Sequence, residues 1–137
     1  MQHVVGIEER EDKKENTEIS SEYFYSAGVI VPNNYQTIYV SGQIGESDSG
    51  ETHELFEHQA IQACENFIDV LNSANMDVLN IVKTTVYLTD SKNIEVWRKI
   101  KNKLFKGSVA ASTLVIVKEL VRPELQIEIE GIASAKN

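Results

Sequence analysis

Two carboxylates two residues apart, Glu128 and Glu130 in "LQIEIEGIA" (125–133), stand where a half-buried strand has no structural need of them. Leu125, Ile127 and Ile129 alternate with Gln126, Glu128 and Glu130. A period of two puts the apolar set on one face and the polar set on the other. A carboxylate aimed into a cleft can take a proton from an attacking water, which is general-base chemistry. The other reading of Glu128 is an acid paired with a backbone or lysine donor at an interface. What the polar face looks at decides between them.

Other reactive-looking stretches carry less. "HELFEH" (53–58) resembles a metalloprotease motif, but its histidines are five residues apart instead of four. On a helix, five steps of ~100° leave them ~140° apart, too far round to share a metal. Both are expected in solvent, and no metal site is expected. Cys64, beside Ala63 and Phe67, reads as a small buried hydrophobe. There is no nucleophile elbow, P-loop or dinucleotide fingerprint. The acidic tail of "SGQIGESDSGE" (41–51) would repel phosphate.

The elements that must hold these residues follow from periodicity. "HVVGIEER" (3–10) reads as a short strand, and the polar stretch after it as an exposed loop. "YFYSAGVIV" (23–31) reads as a strand closed by "PNN", with "QTIYVSGQIG" (36–45) as its hairpin partner. Thr52 is the expected cap of a helix. Phe56, Ala60, Ala63, Phe67, Val70 and Ala74 give that helix its apolar stripe over roughly six turns. "NIVKTTVYLTD" (80–90) alternates as a strand. "NIEVWRKIKNKLF" (93–105) is a second helix, with Ile94, Trp97, Lys101 and Leu104 in one stripe. "STLVIVKEL" (112–120) and "LQIEIEGIA" are the last two strands. The expected architecture is α+β: a mainly antiparallel sheet with two helices on one face. The opposite face carries many apolar residues with nothing to cover them, which predicts an oligomer.

Composition narrows the function classes. At 137 residues the chain is one domain, with residues 1–22 its N-terminal strand and polar loop and 23–137 its main body. Net charge −8 and pI ≈ 4.9 argue against nucleic acid as a partner. No apolar run approaches the ~20 residues of a membrane span, and the charged N-terminus lacks the apolar core of a signal peptide. One cysteine excludes an internal disulfide and fits a reducing, cytoplasmic setting.

"YSAGV" (25–29), "VSGQIG" (40–45), "VKTTVYLTD" (82–90) and "RPELQIEIEGIA" (122–133), in this order and spacing, resemble the RidA/YjgF reactive-intermediate deaminase family. The resemblance runs from about Tyr23 to Ala133. It implies a chorismate-mutase-like fold assembled as a homotrimer, with small-molecule clefts between subunits. It also implies hydrolysis of imines and enamines with release of ammonia, without metal or cofactor. Family descriptions include an endoribonuclease label, which this acidic chain does little to support.

Carried over residue by residue, the resemblance makes Glu128 the water-positioning acid and Tyr25 the cleft tyrosine. Ser41 and Gly42 become the ligand-contacting pair. The family's substrate-carboxylate arginine opens a strand in a P-A-R-[ST] context. Here that stretch reads "VAAST" (109–113), so Ala111 stands in the arginine's place, and Gly107 to Ser112 contains no arginine. Arg98 occupies the position of the family's cleft asparagine, and Thr113 a position that is cysteine in some relatives. Two readings follow. One is a deaminase-type hydrolase, or a divergent enzyme on a related carbonyl compound, with Arg98 supplying the guanidinium. The other is a non-catalytic metabolite-binding trimer of regulatory or chaperone-like role, with Arg98 a solvated helix residue.

Overall fold

The structure is a computed structural model and describes residues 4–7 and 25–137. The element order is β1 (Val4–Gly6), β2 (Gly28–Ile30), β3 (Tyr35–Ile44), α1 (Phe56–Ser73), β4 (Ile81–Leu88), α2 (Ile94–Leu104), β5 (Ala111–Ile116) and β6 (Ile127–Lys136). The last four strands form one sheet in the order β3-β6-β4-β5, and β1 pairs with β2 in a small sheet of its own. This is the α+β arrangement expected from the periodicity.

Both helices lie on one face of the four-stranded sheet. Phe56, Ala60, Ala63, Phe67 and Leu71 of α1 and Trp97 and Ile100 of α2 share a core with Val86, Leu88, Ile127 and Ile129. The Phe105 ring sits between the helices, 5.6 Å from Phe67 and 6.4 Å from Trp97, centre to centre. Gly131 lets the α1 face press this close: a β-carbon there would stand 2.8 Å from Phe67 Cζ and 2.6 Å from the Lys83 carbonyl oxygen. Cys64 is buried in this core. Desolvation pushes its thiol pKa up, so it stays protonated and unreactive.

Several expectations need correction. The segment 23–31 is not the hairpin partner of 36–45. Among its described residues, 25–31, the strand is Gly28–Ile30, and it pairs in parallel with Val4–Gly6. Pro32 turns the chain between them, its carbonyl accepting from the Tyr35 N–H. The main sheet is mixed, because β4 and β5 are parallel while β3–β6 and β4–β6 are antiparallel. Helix α2 is the cause: a crossover helix carries the chain back to the end where β4 began. Strand β5 stops at Ile116, short of residue 120, because its partner β4 ends at Leu88.

Helix α1 starts at Phe56 with Leu55 at its N-cap and no side-chain cap; it is 18 residues long, about five turns. Thr52 instead bridges Glu46 and accepts from the Arg122 guanidinium. His53 therefore precedes the helix, and the angular argument about the two histidines does not apply. Its ring is half-buried and meets His58 edge-on at 5.8 Å. Strand β6 begins at Ile127. Gln126 lies outside it, its N–H held by Gln59 Oε1 and its side chain donating to the Glu54 carbonyl. Among residues 3–10, those beyond Ile7, together with His3 itself, lie outside the described residues. No helix among the described residues is long and apolar enough to cross a membrane.

Candidate functional site

The face of the sheet away from the helices, expected from sequence to carry many apolar residues, instead carries mostly polar side chains, set by register. Across β6, β4 and β5 the rows run Glu128–Tyr87–Val115, Glu130–Thr85–Thr113 and Ile132–Lys83–Ala111. Alternation keeps all nine on one side. Diagonal bonds then join the rows. The Tyr87 hydroxyl donates to Glu130 Oε1. The Lys83 ammonium donates to Thr113 Oγ1 at 2.6 Å and to the Thr84 carbonyl at 3.1 Å.

These bonds set the charges. The hydrogen bond to Glu130 raises the Tyr87 pKa, helped by desolvation and by the negative field of Glu130 and Glu128. Burial lowers that of Lys83, while the Glu130 charge pushes it back up.

The β3 edge adds a shaped backbone. Val40 pairs with Gly131 and Gln43 with Ile129, so the two residues Ser41 and Gly42 oppose Glu130 alone. Such a bulge re-aims what it carries. The Glu128 carboxyl group lies against the Gly42 α-carbon: a β-carbon built there would meet Glu128 Cδ at 2.7 Å and Oε1 at 2.8 Å. Only glycine admits the carboxylate in this position. Ser41 and Gly42 are both exposed.

At the opposite edge, Ser26 bridges Ala111, its N–H donating to the Ala110 carbonyl and its hydroxyl to the Val109 carbonyl. This ties the neighbouring Tyr25, 62% exposed, to the start of β5. The residues singled out from sequence thus fall into two groups. Glu128, Ser41 and Gly42 gather at β3–β6, and Tyr25, Ala111 and Thr113 at β5. Four residues along β4 and two strand spacings separate Ala111 from Glu128, roughly 16 Å. No single small substrate touches both groups of one chain. Arg98 joins neither. It stands on the helix-covered side, on the outer surface of α2, its side chain 64% exposed and paired with Glu95.

Lys83 and Tyr87 are not among the residues that the sequence singles out. The period of two in "VKTTVYL" already puts Lys83, Thr85 and Tyr87 on one face. The missing information was the β4–β6 register, which joins that face to the carboxylates. Among the described residues no group of three or more His, Cys, Asp or Glu could hold a metal.

The chain is similar to known proteins in both sequence and fold. The profile of the family described as Endoribonuclease L-PSP matches residues 15–135. The chain is 38% identical over 111 residues to the 2-iminobutanoate/2-iminopropanoate deaminase of Rattus norvegicus, covering 80% of this chain and 78% of that protein. With the human protein of the same name the identity is 36% over 111 residues, again covering 80% and 78%. The crystal structure of RidA from an Antarctic Psychrobacter superposes with a TM-score of 0.69 at 29% identity, covering 87% of this chain and 94% of that one.

Proposed function

The chain belongs to the Endoribonuclease L-PSP family, the RidA/YjgF proteins, and on that premise we propose that it is a deaminase-type hydrolase of small imines or enamines whose substrate range is altered by Ala111. The observation that carries this reading is the Glu128 carboxyl group seated on Gly42 at the β3 bulge. A carboxylate so placed by backbone is positioned before substrate arrives, which is what general-base catalysis needs.

In the reaction, Glu128 takes a proton from a water whose oxygen bonds to the imine carbon. The C=N π electrons go to nitrogen, which is protonated, giving a carbinolamine. Glu128 then takes the hydroxyl proton and passes it to the amine, the C–N bond breaks with its electron pair going to nitrogen, ammonia leaves and a carbonyl remains. No cofactor enters this balance. Tyr25 would donate to the substrate from the other half of the cleft.

Because the Glu128 and Tyr25 groups lie far apart in one chain, a working cleft needs the Glu128 group of one copy beside the Tyr25 group of another. The open face supports such an assembly. Tyr39 is 77% exposed there beside its β6 partner Ile132, an apolar contact that association would cover. A homotrimer with three identical clefts satisfies this, each contact being heterologous and the ring closed.

The test is ammonia release from a panel of imines formed in situ, including 2-iminopropanoate, 2-iminobutanoate and larger or uncharged analogues. Turnover of the two simple imino acids should be far below that of an arginine-bearing family member, with a larger imine preferred. Loss of the fork at Ala111 also supports a second reading, a metabolite-binding trimer without turnover. Binding without ammonia release from any imine would select it.

A further inference from the structure

We infer that Lys83 is the anion anchor of this site, binding the carboxylate of an anionic imino or oxo acid from the position beside Ala111. The inference rests on the cleft proposed above and names the substrate class it takes.

Lys83 and Ala111 are direct partners in the parallel β4–β5 ladder, so their side chains leave the same face from neighbouring strands. Ala111 carries nothing beyond the β-carbon beside the lysine. The ammonium has three protons. One is given to Thr113 Oγ1 and one to the Thr84 carbonyl. Among the described residues the third has no acceptor. Thr113 accepts from the lysine and is exposed, so its own hydroxyl proton is available to a second ligand oxygen. Together they form a two-point cradle for a carboxylate.

Both described arginines are occupied. Arg122 is held by Glu46 at 2.9 Å and Glu124 at 2.8 Å. Arg98 pairs with Glu95 on the far side of the sheet. Lys83 has no carboxylate in salt-bridge contact among the described residues. It feels Glu130 only through space, and burial costs its charged form hydration. An arriving anion restores what burial removed. Unlike guanidinium, an ammonium is a point charge that binds a carboxylate without fixing its plane. The site therefore keeps affinity for anions while losing orientation.

Isothermal titration calorimetry of the intact protein with 2-oxobutanoate, the keto product, and with neutral 2-oxobutanamide tests this. Wild type should bind the acid more tightly than the amide. Lys83→Met should cut affinity for the acid by about ten- to a hundredfold, the span of one charge-assisted hydrogen bond, and leave the amide within about twofold. Lys83→Arg should retain the acid. Lys83→Gln serves in place of the methionine variant if that variant does not fold. Unchanged acid affinity in the neutral variants overturns the anchor and leaves the imine cleft standing. If wild type binds neither compound, the cleft and the anchor fall together.

Discussion

The Glu128 carboxyl group rests on the α-carbon of Gly42, where even one methyl group would come within 2.7 Å of Cδ. The clashing atoms are the far end of a flexible side chain, so a methyl would displace the carboxylate and leave the backbone where it is. Gly42→Ala should therefore fold with a melting temperature close to wild type, a surface-type change within about 0.5 kcal/mol. Turnover or ligand affinity should fall at least about tenfold, since a base displaced by an ångström loses its alignment. Thermal unfolding beside a turnover assay checks both halves. A variant that keeps full activity would show that the Glu128 position is immaterial.

Glu128→Gln separates chemistry from structure more directly. The swap is isosteric and keeps the contact with Gly42, but an amide cannot take a proton from water. Turnover should vanish, while oligomeric mass and melting temperature stay nearly unchanged. If the variant chiefly loses stability and changes neither binding nor turnover, the acid is structural.

Much of this arrangement is legible in the sequence. The alternation in "IEIEGIA" placed Glu128 and Glu130 on one face, and the helical stripes of Phe56 to Ala74 and Ile94 to Leu104 put both helices on the other. What stayed hidden depended on long-range pairing. Nothing local distinguishes "YSAGVIV" as a partner of β3 from a partner of β1, because β propensity does not name the neighbour. Nor does sequence reveal that Lys83 faces Ala111, or that Tyr87 reaches Glu130, because both are matters of register. Thr52 misled for another reason: its hydroxyl is claimed by Arg122, so a good capping residue is spent on joining two loops.

Tyr87 and Lys83 give stability opposite dependences on pH. The folded-state pKa of Tyr87 lies above its ordinary value of 10.0, chiefly through the bond to Glu130. Its contribution is fully present below pH 10 and is lost as pH rises through the folded value. Tyr87→Phe should melt below wild type at pH 8, with the gap closing in the alkaline range. Denaturation curves at stepped pH would reveal it, and a constant gap would mean the hydroxyl bond contributes nothing.

For Lys83 the sign reverses. Burial holds its folded-state pKa below the ordinary 10.5, so the contribution is present above pH 10.5 and is lost as pH falls through the folded value. At pH 7 the charged lysine costs stability. Lys83→Met should match or exceed the wild-type melting temperature at neutral pH, with any advantage shrinking above pH 10.5. A functional residue is often kept at such a cost. A clear drop in melting temperature at pH 7 would mark Lys83 as a structural residue.

Assembly and site composition can be tested together. Light scattering should give about three times the 15.4 kDa chain mass. Glu128→Gln disables the β3–β6 half of every cleft and leaves the β5 half intact. Ala111→Glu does the reverse, setting a carboxylate beside Lys83 that repels an anionic substrate. Each variant alone should be inactive. If every cleft takes one half from each of two neighbours, trimers reassembled from an equal mixture contain some clefts with both halves intact. Random mixing makes that about one cleft in four. The mixture, unfolded and refolded together, should recover about a quarter of the wild-type activity, whereas the same proteins mixed without dissociation should recover none. Failure to recover activity from demonstrably mixed trimers would mean that each chain works with its own residues. The separation of Glu128 from Ala111 across the sheet would then rule out their sharing a substrate.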